Sequence, residues 1–167
     1  MTTSPMRSRA DPSPSSLELS LLLDRERGSI TAAAFESIRQ SRTHYSAAGW
    51  NETQRRLDVL YDELCAAVSS RDLGGITRFA GDLAAERFRS GYDLSEVQMA
   101  FNALEEAAWS VLCARLAPDE LALSLGLVST VLGAAKDALS REYVSLASRT
   151  HVTSLDMRAL FAGDAGA

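Results

Sequence analysis

Residues able to do chemistry are few in this chain and widely spaced. The two histidines, His44 and His151, stand in different segments with no acidic or cysteine partner at ligand spacing. Metal binding or haem ligation would then need a tertiary coincidence, and both read as structural or surface histidines. Cys65 and Cys113 form no CxxC pair and no Cys/His cluster, so free buried thiols are expected. The chain contains no GxGxxG, P-loop, HExxH or GxSxG motif and no Ser/His/Asp set. No catalytic residue, metal site or cofactor is assigned, and the chain reads as a non-enzyme.

Two polar features remain. Gln98, Asn102, Glu105 and Trp109 recur at spacings of four, three and four, which places them along one line of a helix. The Glu-x-x-His motifs of a carboxylate bundle site are absent, so this line reads as a solvated rim or a polar patch meeting a partner. Arg87 falls on the same helical stripe as Ile76, Ala80 and Leu83, which puts a charge on an apolar face. The reading favoured here is that its stem covers apolar surface while its head reaches water from the helix end. An ion pair to Glu96 across the following turn is the alternative. Asp82, Glu86 and Arg89 complete a charged run that reads as a solvated face, with Glu86 pairing to Arg89.

The elements that position these residues are helical. From Leu83 to Leu112, Gly91 sits where a left-handed residue closes one helix, and Asp93 with Glu96 forms the capping box that opens the next. Tyr92 and Val97 could close a hydrophobic staple. Leu94, Val97, Phe101, Leu104, Ala108 and Val111 then make a buried stripe, and the stretch reads as a helical hairpin. Upstream, Leu17 to Arg27 reads as a short helix ended by Gly28. Thr31 to Ala48 reads as a second, peripheral helix. Asn51 reads as the N-cap of a helix from Glu52 to about Ser70 carrying Leu57, Leu60, Tyr61, Leu64 and Val68, which Gly74 and Gly75 break. Ile76 to Gly91 should pair with it. Pro118, followed by Asp119 and Glu120, opens a last helix reaching about Arg149.

That last helix is apolar almost all round in its first half, with Leu121, Leu123, Leu125, Leu127, Val128, Val131 and Leu132. It is therefore buried centrally or against a second subunit. Gly126 and Gly133, a heptad apart, either permit close helix approach or are tolerated core glycines. The run Leu121 to Ala135, interrupted by Ser124, Ser129 and Thr130, reads as too short to span a bilayer.

The expected fold is all-α, an antiparallel helical bundle of about four to six helices. Residues 1–16, rich in proline and serine, read as a disordered leader, 17–149 as the bundle, and 150–167 as a tail or short docking helix. Hydrophobic residues make up 46% of the 167 and aromatics 7%, so the core should be Leu, Ala and Val. Seventeen basic against 22 acidic residues give a net charge of −5, which argues against nucleic acid or an anionic membrane as partner. The amino terminus has no apolar core of a signal peptide, and a cytoplasmic location follows. Lys136 is the only lysine, and the arginine and alanine bias points to a GC-rich bacterial coding sequence.

The run AAERFRSGYDLSEVQMAFNALEEAAWSVL, preceded by LDVLYDELCAAV and followed by a helix ending LSREYVSLA, resembles the amino-terminal domain of RsbRD-type regulators. Arg87, Gly91, Leu94 and Phe101 stand at matching places, and the resemblance covers roughly residues 50 to 147. Related domains precede output modules in stress-signalling co-antagonists, some sensor kinases and PucR-like transcription factors. The resemblance implies a helical sensory or interaction domain without enzymatic activity, attached to a module that delivers the output. No STAS, kinase or helix-turn-helix segment follows here, so the chain is either a fragment or works alone on a partner. Arg87 and Gly91 are not carried over as ligand residues, since a helix stop and a hairpin contact explain them.

Two functions follow as expectations. One is a noncatalytic regulatory domain that homodimerises or binds another signalling protein through Leu123, Leu127 and Val131. The other is a small-molecule sensor with a pocket lined by Phe101, Trp109 and Tyr143, of which a globin-like haem protein is one variant.

Overall fold

A computed structural model of the chain describes residues 14–41 and 49–154. These residues form five helices: α1 (Pro14–Gln40), α2 (Trp50–Ser70), α3 (Gly74–Arg89), α4 (Leu94–Arg115) and α5 (Pro118–Ser154). No strand occurs among the described residues. The fold is the expected all-α bundle, but its pairing differs from chain order. α3 packs chiefly on α5, and α1 on α4 and α2, while α3 and α4 barely touch.

Leu83 to Leu112 is therefore a turn between diverging helices rather than a packed hairpin. The turn itself is built as the residues dictate. Gly91 has φ +79°, the Tyr92 N–H donates to the Arg87 carbonyl, and the Gly91 N–H to that of Phe88, each at 3.1 Å. This is a Schellman stop, which satisfies carbonyls that a helix end leaves without partners. Two residues later the Glu96 carboxylate accepts the Asp93 backbone N–H at 2.9 Å and closes the capping box.

Helix starts and stops elsewhere depart from expectation. Gly28 ends nothing: α1 runs through it as one helix, because Leu19, Leu22 and Leu23 before it and Ile30, Ala34 and Ile38 after it are all buried in the core. Packing of both halves outweighs the weak helix propensity of one glycine. The segment from Thr31 is consequently central. Asn51 is not a cap: α2 begins at Trp50 after Gly49, whose φ of +84° turns the chain, and the Trp50 ring packs edge-on against Phe35 of α1 at 5.9 Å. Gly74 and Gly75 open α3 instead of ending α2. The stop is Arg71, left-handed at φ +58°, and the Asp72 side chain accepts the Gly74 N–H at 2.8 Å.

The core gathers Leu57, Leu60, Tyr61, Leu64, Phe101 and Leu104 from α2 and α4 with Val128, Leu132 and Leu139 of α5. The Tyr61 hydroxyl, fully buried, donates to the Leu23 carbonyl at 2.7 Å. α5 continues to Ser154, past the expected end at Arg149. Residues 1–13, 42–48 and 155–167 lie outside the described residues, and with them His44, nearly all of the leader and most of the expected tail or docking helix, whose first residues to Ser154 continue α5; nothing is described of the side chain of His151. Of the thiols, Cys65 is half-buried and Cys113 exposed, so only the first approaches the buried state expected of both.

Candidate functional site

The polar line on α4 is a seam within the chain. Lys136 of α5 donates to the Asn102 amide oxygen at 3.2 Å and to the Glu105 carboxylate at 2.7 Å. The Gln98 side-chain amide donates to Ser140 at 2.9 Å, and the Trp109 indole N–H to Ser129 at 3.2 Å. All four residues thus meet α5 in antiparallel register about the turn at Leu116 and Ala117, and the packed helical hairpin is α4–α5. Folding the sequence back at Pro118 would have placed the sole lysine against Asn102 and Glu105.

Phe101, Trp109 and Tyr143 do not share one pocket. Phe101 is fully buried and lines a cleft. Trp109 is 43% exposed on the α4–α5 seam. Tyr143 packs edge-on against Phe88 at 5.7 Å, and its hydroxyl donates to the Tyr92 carbonyl at 3.2 Å. Of the apolar α5 residues, Val131 is 1% exposed and belongs to the core, Leu127 is half-buried, and Leu123 is 55% exposed.

The cleft lies between α2, α3 and α4. Its walls are Leu57, Leu60, Leu83, Val97, Ala100 and Phe101, with Thr53, Arg56 and Arg87 as its polar members. It has room for about 20 Å³, the size of a single water. The Thr53 hydroxyl is turned to the Gly49 carbonyl at 3.4 Å. Arg56 is committed to two carboxylates, with Nε on Glu52 at 2.6 Å and Nη1 on Glu86 at 2.9 Å. The Arg56 hydrogen bond holds the Glu86 carboxyl below its usual range, and Glu86 faces α2 instead of pairing with Arg89.

Arg87 differs from Arg56 and from what its helix-end position suggested. It is 6% exposed, a buried residue rather than a surface one, and none of its side-chain nitrogens is sealed from solvent without a hydrogen-bond partner. Its guanidinium carbon sits 4.5 Å from the centroid of the Tyr92 ring, a cation–π contact that offsets part of the cost of burial. No ion pair to Glu96 forms, and no carboxylate of the described residues lies within ion-pair distance of it. Periodicity alone did place this charge on the inner stripe; the ring of Tyr92, brought over it by the Gly91 turn, is what keeps it there.

Among solved structures, the globin domain of E. coli DosC, described as a ferrous form, superposes with a TM-score of 0.65 at 14% identity, covering 80% of this chain and 91% of that one. The likeness shows the globin-like arrangement of the helices. No curated protein matches the chain. The cleft does not fit a haem: none of its nine lining residues is a His, Cys, Met or Tyr able to take an axial position. The sequence model described as the RsbT co-antagonist protein RsbRD N-terminal domain matches residues 22–158, taking in most of α1 as well as the segment from Arg87 to Phe101. This chain belongs to that family, a family of signalling regulatory domains.

Proposed function

We propose that this is a noncatalytic cytoplasmic regulatory domain that acts by pairing with a second copy of itself through the outer strip of α5. The observation that carries the reading is the composition of that strip. Leu123, Gly126, Leu127 and Thr130 follow one another along its outward side, and no charged residue occurs from Leu121 to Ala135. A two-fold interface sets each patch against itself, so a charge near the axis would meet its like. This strip avoids that conflict, whereas the outer sides of α2 and α3 carry dense charge. A second support is Gly126: a Cβ built there meets nothing within 4 Å, so close packing inside the chain does not explain this glycine.

By length and composition α5 is also apolar enough to cross a bilayer. Its inner side, with Val128, Val131, Leu132 and Ala135, is already used by the bundle, which leaves a narrow strip suited to another helix. The reading is tested by molar mass from light scattering behind size exclusion, over a concentration series. Twice the 18.0 kDa chain mass, falling to one chain in Leu123→Glu with helicity retained, is the expected result. A monomer at every concentration would overturn self-pairing, and sedimentation with anionic vesicles would move the strip to a membrane.

A further inference from the structure

We infer that Trp109 anchors the contact between two copies of this chain by entering a notch on the α5 of its partner, at Gly126, Ser129 and Gly133. The inference rests on the self-pairing read from α5 and names the residue that holds it. Trp109 is 43% exposed. Its indole N–H, the only hydrogen-bonding group of the side chain, already donates to Ser129 at 3.2 Å. What the ring shows to the outside is therefore apolar. A large ring whose polar atom is satisfied within the chain, and which stays half-exposed, is the kind of side chain that concentrates binding energy at interfaces.

The surroundings of the ring supply the matching hollow. Gly126 stands three residues before Ser129 and Gly133 four after it, so all three lie along one flank of α5, the flank on which Ser129 receives Trp109. A Cβ built on either glycine meets nothing within 4 Å, so neither the indole nor any other described side chain fills the space above them. Glycine weakens a helix interior, and no close approach inside the chain requires it at these two positions. A bulky ring and two unfilled notches thus sit side by side on the α4–α5 seam. In a two-fold contact residue i of one chain meets j of the other, and j meets i, so each ring can fill the hollow of the opposite chain.

Area and charge favour a second copy as the occupant. A stable interface takes roughly 800 Å² and about 20–30 residues from each partner. Leu123, Gly126, Leu127 and Thr130, on a single helix, fall short of that. Widening the strip across the seam to α4 meets no net charge: Glu105 is neutralised by Lys136 at 2.7 Å, and Glu106 lines the groove that α4 forms with Ala33 and Ser37 of α1. Trp109 is the largest side chain that this widening adds.

The chain has two tryptophans, and Trp50→Phe leaves Trp109 as the sole one, so that its fluorescence reports the contact directly. In the paired chain its emission should lie further to the blue, and acrylamide should quench it less, than in the same chain carrying Leu123→Glu, with the mass of both followed by light scattering. Trp109→Ser, with Trp50 kept, should weaken association about thirtyfold or more, the size of an interface hot spot, while helicity is retained. If that variant does not fold, the fluorescence of Trp109 decides. Equal emission and quenching in paired and single chains, or a folded Trp109→Ser chain that pairs as tightly as the original, would overturn the inference and leave pairing through α5 standing. A chain that is single at every concentration would overturn both.

Discussion

Single residues here are decided by what another helix brings to them. Cys65 and Cys113 both sit in amphipathic helices, but burial pushes the Cys65 thiol up to about 11, with Asp24 adding to the effect. Cys113 is exposed on α4. Since the thiolate is the reacting form, one fast and one slow thiol are expected with an aromatic disulfide reagent at pH 8, and Cys113→Ser should remove the fast phase. Two equal phases would contradict the packing of α2. Lys136 joins Asn102 and Glu105 from across the α4–α5 seam, with its side chain 26% and that of Glu105 16% exposed. Lys136→Met strands Glu105 in partial burial and should cost about 1–2 kcal/mol in urea unfolding, between the values for exposed and buried pairs. Periodicity put Gln98, Asn102, Glu105 and Trp109 on one line correctly. Their purpose was hidden because a line on one helix does not say which helix faces it.

Helices were legible wherever a repeating apolar stripe was joined to a specific stop. Gly91 came with Asp93 and Glu96 behind it and read true; Gly28 and the Gly74–Gly75 pair came with no such partner, and the glycine alone misled. The difference is measurable. Gly91 holds φ +79°, so Gly91→Ala forces an L-residue into the left-handed region and should cost about 1–2 kcal/mol. Gly28 lies inside α1 and a Cβ there meets nothing within 4 Å, so Gly28→Ala should raise stability by about 0.5–1 kcal/mol. Equal signs for the two would mean that α1 is broken. The charged network on α2 that holds Arg56 towards Glu86 of α3 weakens in acid. Hydrogen bonding from Arg55 first, and Arg56 after it, holds the Glu52 carboxyl at about 2, against an ordinary 4.5. A carboxylate whose pKa is lowered by folding stabilises above the ordinary value and loses that contribution as pH falls towards the lowered one. Urea midpoints should therefore hold to about pH 5 and decline from 4.5 to 2, less steeply in Glu52→Gln and in high salt, since the group is exposed.

At the scale of the molecule, the globin-like order of packing, α3 on α5 and α1 on α4, joins segments far apart in sequence, and local patterns do not encode such choices. The same limit left α5 suspended between a core helix and a seam, and the structure divides it: Val128, Val131 and Leu132 are core while Leu123 stands out. Gly126 turns that division into an experiment whose sign discriminates. It is exposed, and a Cβ there meets nothing in the chain. In an isolated domain, Gly126→Leu replaces a poor helix former with a good one in open space and should stabilise by about 0.5–1 kcal/mol. In a pair of chains packed strip to strip, the same side chain wedges the two helices apart and should weaken association tenfold or more, since overpacking costs about 1–3 kcal/mol. A paired fold melts at a temperature that rises with protein concentration, and an isolated one does not. For a self-pairing strip, the wild-type melting temperature should climb with concentration, and Gly126→Leu should flatten that climb while raising the dilute limit. A uniform rise at every concentration, with no slope in either protein, would return α5 to the bundle alone.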